Sequence, residues 1–293
     1  MSFEPFETLQ EGEGNDNPGH PLVSVCVPTF QHRYYISDCL DSILAQKTDF
    51  RFEILVGEDC STDGTREICI NYAKKFPEQI RLFLRKEEEK IIMFGRRSGR
   101  LNHLGLYENA KGKYVCFCDG DDFWCDPLKL QKQVTIMEKN PELSICVTNT
   151  RIEGGGQQFS VELSESSRLF NSKQLHNKFY MGHVSSWMVR NRMKKILQNQ
   201  IVKKPIHLDK VLFQFYKLEG SLFYLSDVTS VYRFNPSGIY LSKSERENHK
   251  AQYKNGWFLF WYLHKDPTLF LRHTIYSLRR GFNIFVLKRF IKK

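Results

Sequence analysis

Short β-rich runs alternate with amphipathic helical stripes from residue 22 onward, and polar residues follow several of those runs directly. Leu22–Val27 (LVSVCV) is closed by Pro28, and Ile36, Cys39, Leu40, Ile43 and Leu44 then repeat at one-face helical spacing. Glu53–Val56 (EILV) is followed by the turn Gly57–Gly64 and a stripe of Ile68, Cys69, Tyr72, Ala73 and Phe76, with Asp63 or Ser61 suited to cap it. A third strand is expected at Ile80–Leu84, then a charged stretch from Arg85 to Arg100 and a helix near Leu104–Asn109. Strand Tyr114–Cys118 runs straight into Asp119-Gly120-Asp121-Asp122. Pro127 fits the first turn of the next helix, and Ser144–Thr148 reads as a further strand. This alternation predicts an α/β fold, a mainly parallel sheet flanked by helices. Ligands of such sheets bind beyond the carboxyl ends of the strands, so Thr29, Asp59 and the Asp119–Asp122 cluster are expected to share one crevice.

Charge divides the chain unevenly. The net charge is +10 over 293 residues, yet residues 1–20 hold five acids and no Lys or Arg. Residues 251–293 hold nine basic side chains against Asp266 alone, interleaved with aromatics such as Trp257, Trp261 and Phe282. The expected division is an acidic tail at 1–20, a main domain at 21–250 with halves at 21–150 and 151–250, and a basic aromatic helical tail at 251–293. The Gly154-Gly155-Gly156 loop lies between the halves. Leu271, Ile275, Leu278, Phe282 and Phe285 follow helical spacing, which suits peripheral contact with an anionic membrane or docking on protein. The longest apolar run, Trp257 to Leu263, is too short to span a bilayer, and the acidic N-terminus lacks the apolar core of a secretory signal. A cytoplasmic setting, at most peripheral on the inner membrane face, is therefore expected. No nucleic-acid recognition motif accompanies the basic charge. The eight cysteines contain no CxxC pair and read as buried thiols of a reducing compartment, with Cys116 and Cys118 on one strand face.

Three aspartates in four positions repel one another unless a cation is present. A hard divalent ion relieves that repulsion. Mg²⁺ uses one or two carboxylates and completes its shell with water and substrate phosphates, and Mn²⁺ accepts the same donors. The bland alternative is a solvated acidic turn in which Asp122 caps the following helix.

The strings VSVCVPTF, ILVGEDCSTDGT, GRLN, AKGKYVCFCDGDDFWCDPLKLQKQV and VYRFNPSGIY resemble, in order and spacing, the family 2 nucleotide-diphospho-sugar glycosyltransferases of the GT-A fold, bacterial type. The resemblance is continuous over about residues 22–150 and patchy over 180–240. It implies that Pro28, Thr29 and Phe30 hold the nucleotide, and that Asp59 accepts a base N–H, usually from uracil. Arg100 and Asn102 would stand near the donor. Asp119 and Gly120 would contact the ribose side, and Asp119 and Asp121 would hold Mn²⁺ or Mg²⁺. Trp124 is offered as a face on which a sugar stacks, against ordinary core packing. Asn235 stands where relatives often carry a His that assists the metal.

An inverting transfer from a UDP-sugar to a glycan or lipid-linked acceptor, in bacterial surface polysaccharide assembly, is the activity this resemblance implies. It needs one general base for the acceptor hydroxyl. Asp209, in Ile206-His207-Leu208-Asp209, is the expected base, although Leu208 replaces the acid or glycine usual there. His207 is the alternative base, and a plain helix cap the alternative role for Asp209. His183-Val184-Ser185-Ser186-Trp187 resembles an acceptor-side segment. Two rival readings are a sugar nucleotidyltransferase, whose Gly-rich triphosphate loop PTFQHR lacks, and a non-catalytic nucleotide- or glycan-binding relative.

Overall fold

The computed structural model describes residues 7–8, 20–93, 96–154, 166–176, 178, 180–204, 207–234, 257–259, 263, 271 and 275. Most of the 251–293 tail, Asn235 and Ile206 therefore lie outside the described residues. In chain order the elements begin with β1 (Glu7–Thr8), β2 (Val23–Thr29), α1 (Ile36–Leu44), β3 (Phe52–Glu58), α2 (Thr65–Lys75) and β4 (Ile80–Leu84). The short strands β5 (Ile91–Met93) and β6 (Arg96–Ser98) form a separate hairpin. Then come α3 (Arg100–Asn109), β7 (Tyr114–Phe117), β8 (Phe123–Trp124), α4 (Lys129–Lys139) and β9 (Leu143–Glu153). The remainder is β10 (Arg168–Phe170), α5 (Ser172–His176), β11 (Trp187–Arg190), α6 (Met193–Gln198), α7 (Leu208–Glu219) and β12 (Ser221–Arg233).

Ten strands make one sheet in the order β1-β4-β3-β2-β7-β11-β9-β12-β10, with β8 added against β12. The pairs β4–β3, β3–β2 and β2–β7 are parallel, as expected for βα units. Beyond β7 the sheet becomes mixed: β11 is antiparallel to both β7 and β9, whereas β12 runs parallel to β9. The expected α/β sheet flanked by helices is present; its unbroken run of parallel pairs spans β4 to β7, and β9–β12 is a further parallel pair beyond it.

Alternating side chains feed two cores. Val23, Val25 and Val27 pack with Ile36, Leu40 and Ile43 of α1, Cys69 of α2 and Leu130 of α4 on one face. Cys26, Leu55, Val115 and Phe117 pack with Leu104 and Tyr107 of α3, Ile196 of α6 and Phe213 of α7 on the other. Each fully buried Val, Ile, Leu or Phe contributes about 1.5–3 kcal/mol through removal from water. Helices therefore cover both faces and leave the strand ends as the accessible rim. Cys116 and Cys118 share the first of these cores, and six of the eight thiols are buried.

Local departures have physical causes. Pro28 does not end β2: it lies opposite Gly57 within the ladder, which continues to Thr29. The N-cap of α2 is Gly64, at φ +102°, and not Ser61 or Asp63. Asp63 still supplies the bond, accepting from the Thr65 N–H (3.0 Å) and hydroxyl (2.6 Å).

Candidate active site

β2 is the strand from which the chain steps first to β3 and β4, then to β7 on the other side, and the strand ends where that direction reverses are where such sheets bind their ligands. The loops there are tied by backbone bonds. Asp59 N–H donates to the Thr29 carbonyl (3.0 Å), and Gly120 N–H donates to the Pro28 carbonyl (3.0 Å). Pro28, Thr29, Asp59, Asp119 and Gly120 are thereby brought together, as their positions after three strands foretold. Gly120 is required sterically: a Cβ there would stand 2.5 Å from Thr29 Oγ1 and 2.8 Å from His32 Nδ1. Phe30 projects outward and is 42% exposed.

The acidic loop is held from several sides. Asp122 is buried, accepting from Ser185 Oγ (2.5 Å) and from the Arg233 N–H (3.2 Å). The Arg233 side chain donates to the Asp121 carbonyl (2.8 Å) and pairs with Asp38 (2.7 Å), pinning this loop to α1. Asp121 lies 3.5 Å from His32 Nε2, and Thr29 Oγ1 shares a hydrogen bond with His32 Nδ1 (3.2 Å). Burial, reinforced by Asp122 and Asp121, pushes the Asp119 carboxyl up to about 8. Burial also lifts Asp122, with Asp121 adding to it. The cluster therefore carries more carboxylate than its own surroundings neutralise. Among the described residues no group of three or more His, Cys, Asp or Glu is arranged to hold a metal. Asp119 and Asp121 could supply two oxygens to a hard cation whose remaining ligands come from water and a ligand.

On the other side of the crevice, Asp209 stands in the first turn of α7. It accepts a hydrogen bond from Tyr180, and its charge bears on Asp119, His183, Arg100 and His103. Arg100 is buried, reaches the Val202 carbonyl (3.5 Å), and is pulled down to about 10 by desolvation. Desolvation likewise holds His183 below the usual imidazole range, while Asp119, Asp209 and Asp121 oppose it. His183 Nδ1 accepts from the Ser185 N–H (3.4 Å), and its ring packs 4.7 Å from that of Tyr232. His32, Tyr180 and His103 escaped the sequence reading. Of these, His32 alone carried a signal, standing three residues beyond Thr29 in a crevice loop.

Two expected positions are differently placed. Trp124 is 4% exposed, its indole N–H donates to the Ser185 carbonyl (3.0 Å), and Lys129 Nζ lies 4.6 Å from its ring centre. With its surface buried and its N–H spent, it braces the Ser185 loop and offers no face to a sugar. Asn102 is also buried and donates to the Gly57 carbonyl (2.8 Å), while its Oδ1 has no hydrogen-bond partner. Asp59 does not close its own turn. Glu58 bonds the Ser61 N–H (2.6 Å) instead, and burial raises the Asp59 carboxyl against the pull of Lys90 and Arg85.

The family model described as Glycosyl transferase family 2 matches residues 24–199, more than half of the chain. The chain belongs to that family. The putative teichuronic acid biosynthesis glycosyltransferase TuaG of Bacillus subtilis is 39% identical over 117 residues, 40% of this chain and 42% of TuaG. An uncharacterized Mycobacterium tuberculosis protein, Rv1520, is 33% identical over 130 residues, 44% of this chain and 35% of its own length. The match thus spans less than half the length of these curated relatives. Among solved structures, S. aureus TarS 1-349 in complex with UDP-GlcNAc superposes with a TM-score of 0.62 at 19% identity, covering 89% of this chain and 75% of that one. The Pyrobaculum calidifontis mannosyltransferase PcManGT, in complex with GDP-Man and Mn²⁺, gives 0.53 at 18% identity, covering 94% and 68%. The architecture of this family 2 chain is accordingly that of the GT-A glycosyltransferases. No helix among its described residues is long and apolar enough to cross a membrane.

Proposed function

We propose that this protein transfers a sugar, with inversion, from a nucleoside diphosphate donor to a hydroxyl of a glycan or lipid-linked acceptor, with UDP-sugar as the donor class. The observation that carries this reading is the crowding of Asp119 with Asp121 and Asp122 at the end of β7, where desolvation and those neighbours raise the Asp119 carboxyl and Asp209 of α7 adds to the rise. One side would grip the diphosphate end of the donor and the other would receive the acceptor. The nucleotide-sugar complexes of TarS and PcManGT lend this their support, as does the pathway named for TuaG.

Asp119 and Asp121 are the residues that would hold Mg²⁺ or Mn²⁺. When bound, the ion would neutralise charge developing on the departing nucleoside diphosphate. Pro28, Thr29 and Asp59 would position the nucleoside, with the Asp59 carboxylate accepting a base N–H. Gly120 would let the loop lie against Thr29 without a side chain between them. Asp122, held by Ser185 and Arg233, orients its neighbours and is spent on that task. Asp209 would take the proton from the acceptor oxygen as that oxygen attacks the anomeric carbon, and the Tyr180 hydroxyl fixes its carboxylate. Arg100 offsets negative charge beside it.

Calorimetry of UDP with and without Mn²⁺, followed by a panel of nucleotide sugars scored for donor hydrolysis, tests the assignment. Metal-dependent UDP binding is the expected result. Failure of every nucleoside diphosphate to bind in a metal-linked way would overturn it. Peripheral membrane contact belongs to the same reading and rests on the basic tail of the sequence. Deleting residues 268–293 should release the protein from anionic liposomes while leaving UDP binding intact.

A further inference from the structure

His32 stands in the turn between β2 and α1, and the backbone around it is fixed from several sides. Gln31, just before it, has a left-handed backbone (φ +57°) that residues other than glycine adopt uncommonly. The loop between β3 and α2 holds Gln31 there. The Gln31 N–H donates to Ser61 Oγ (3.0 Å), its Nε2 donates to Thr62 Oγ1 (3.0 Å), and its Oε1 accepts from the Thr62 N–H (3.1 Å). The His32 N–H donates to Thr65 Oγ1 (2.9 Å), and the His32 carbonyl accepts from the N–H groups of Tyr35 and Ile36 (2.9 Å each). A costly conformation persists where its surroundings over-determine it, and this one aims an imidazole at the acidic loop.

The ring meets that loop at two atoms. Nδ1 shares a hydrogen bond with Thr29 Oγ1 (3.2 Å), and Nε2 lies 3.5 Å from Asp121 Oδ2. Both side chains keep some surface, 16% for His32 and 18% for Asp121, so an ion in solution can reach them. The separation is informative. It exceeds the ~2.7–3.2 Å of an N–H···O hydrogen bond. When Nδ1–H donates to Thr29, Nε2 turns a bare lone pair toward a carboxylate oxygen, and the two repel. A six-coordinate ion with ligands at about 2.1 Å holds neighbouring donors about 3 Å apart. Seating one between Nε2 and Oδ2 therefore asks the pair to close by only about half an ångström. A hydrogen bond on the far ring nitrogen, here to Thr29, is also what fixes the tautomer of a metal-ligating histidine.

We propose that His32 is a metal ligand, its Nε2 gripping the same divalent ion as the Asp121 carboxylate. This assignment rests on the crevice being a metal–nucleoside diphosphate site. His32, Asp119 and Asp121 do not form a ready three-ligand cluster, so the ion is expected to bind tightly only together with the diphosphate. The nitrogen alters which ion is favoured. Oxygen donors alone suit Mg²⁺, whereas an imidazole raises the preference for transition ions, Co²⁺ more than Mn²⁺.

Electron spin-echo spectroscopy of the Mn²⁺–UDP complex of the full chain reads the ligand directly. The expected result is nitrogen modulation from a bound imidazole in wild type and its loss in His32→Phe, which keeps a ring and removes the donor. Calorimetry should show UDP binding in Mn²⁺ at least about tenfold weaker in H32F. His32→Gln, with an amide oxygen at about the reach of Nε2, should narrow the preference for Co²⁺ over Mg²⁺ in supporting UDP binding. A wild-type complex without the modulation, or modulation that survives in H32F, would overturn the assignment and leave the crevice reading standing. So would an equal loss in Co²⁺ and Mg²⁺ for H32Q, the mark of an ion pair that merely shapes the loop. A wild type that binds no nucleoside diphosphate with metal would overturn both.

Discussion

The two sides of β7 are assembled on different plans. On one, β2, β3 and β4 come from consecutive βα units, pair in parallel, and deliver Thr29 and Asp59 from adjacent strand ends. On the other, β11 is threaded antiparallel between β7 and β9, and β12 lies parallel to β9 with register shifts. Its contributions to the crevice, His183, Asp209 and Arg233, come from a 3₁₀ turn, a helix start and a strand end. On the proposed reading, the first plan would hold the donor and the second would supply the acceptor-side residues.

If that contrast is functional, substitutions on the two sides should separate turnover from binding. Asp209→Asn is expected to lower turnover by about 10²–10⁴-fold while UDP affinity changes little, as read by steady-state kinetics beside calorimetry. Retention of full rate would place the base elsewhere. Asp121→Ala should abolish the Mn²⁺ dependence of UDP binding, costing at least the ~10–100-fold that loss of an outer-shell partner costs a metal site. Gly120→Ala should weaken UDP binding and destabilise the fold by about 1–3 kcal/mol, because the new methyl meets Thr29 and His32. Trp124→Phe should cost about 1 kcal/mol in a denaturant melt, the indole bond to Ser185, and leave the donor KM unmoved. A large KM effect would restore a sugar-stacking role.

A separate expected effect concerns pH. Asp119 has its folded-state carboxyl raised to about 8 from 3.8, so the fold holds a proton that the unfolded chain has released between those values. Metal-free protein should therefore lose stability as pH rises from about 4 to about 8. Asp119→Asn should flatten that slope in EDTA-treated thermal melts, with its advantage fading toward pH 4.

The parallel side was legible because its signals are local. LVSVCV, EILV and YVCFC each announce a strand, and the polar residue after each announces the rim. Even there, the Arg85–Arg100 stretch gave no pattern, since strands of three residues are too short for periodicity to show. Beyond residue 150 the pairing is non-local: β11 finds β7 across some seventy residues, and nothing in WMVR says so. Trp124 shows the same limit. The sequence supplied an aromatic beside the acidic loop, but its burial depends on the Ser185 carbonyl, 61 residues away. Asp209 was singled out through the resemblance to the family and lies in the first turn of α7, whereas its partner Tyr180 was missed because that hydrogen bond joins separate segments.

The Arg233 N–H closes on Asp122 across 111 residues of chain. A ribosome adding ~5–20 residues per second needs roughly 6–20 s to supply that distance, and the exit tunnel adds to the wait. The acidic loop is thus synthesised long before its Arg233 tether emerges. Nascent chains halted short of residue 233 should form the early strands yet fail to retain nucleotide, so that binding competence arrives as a late event in translation.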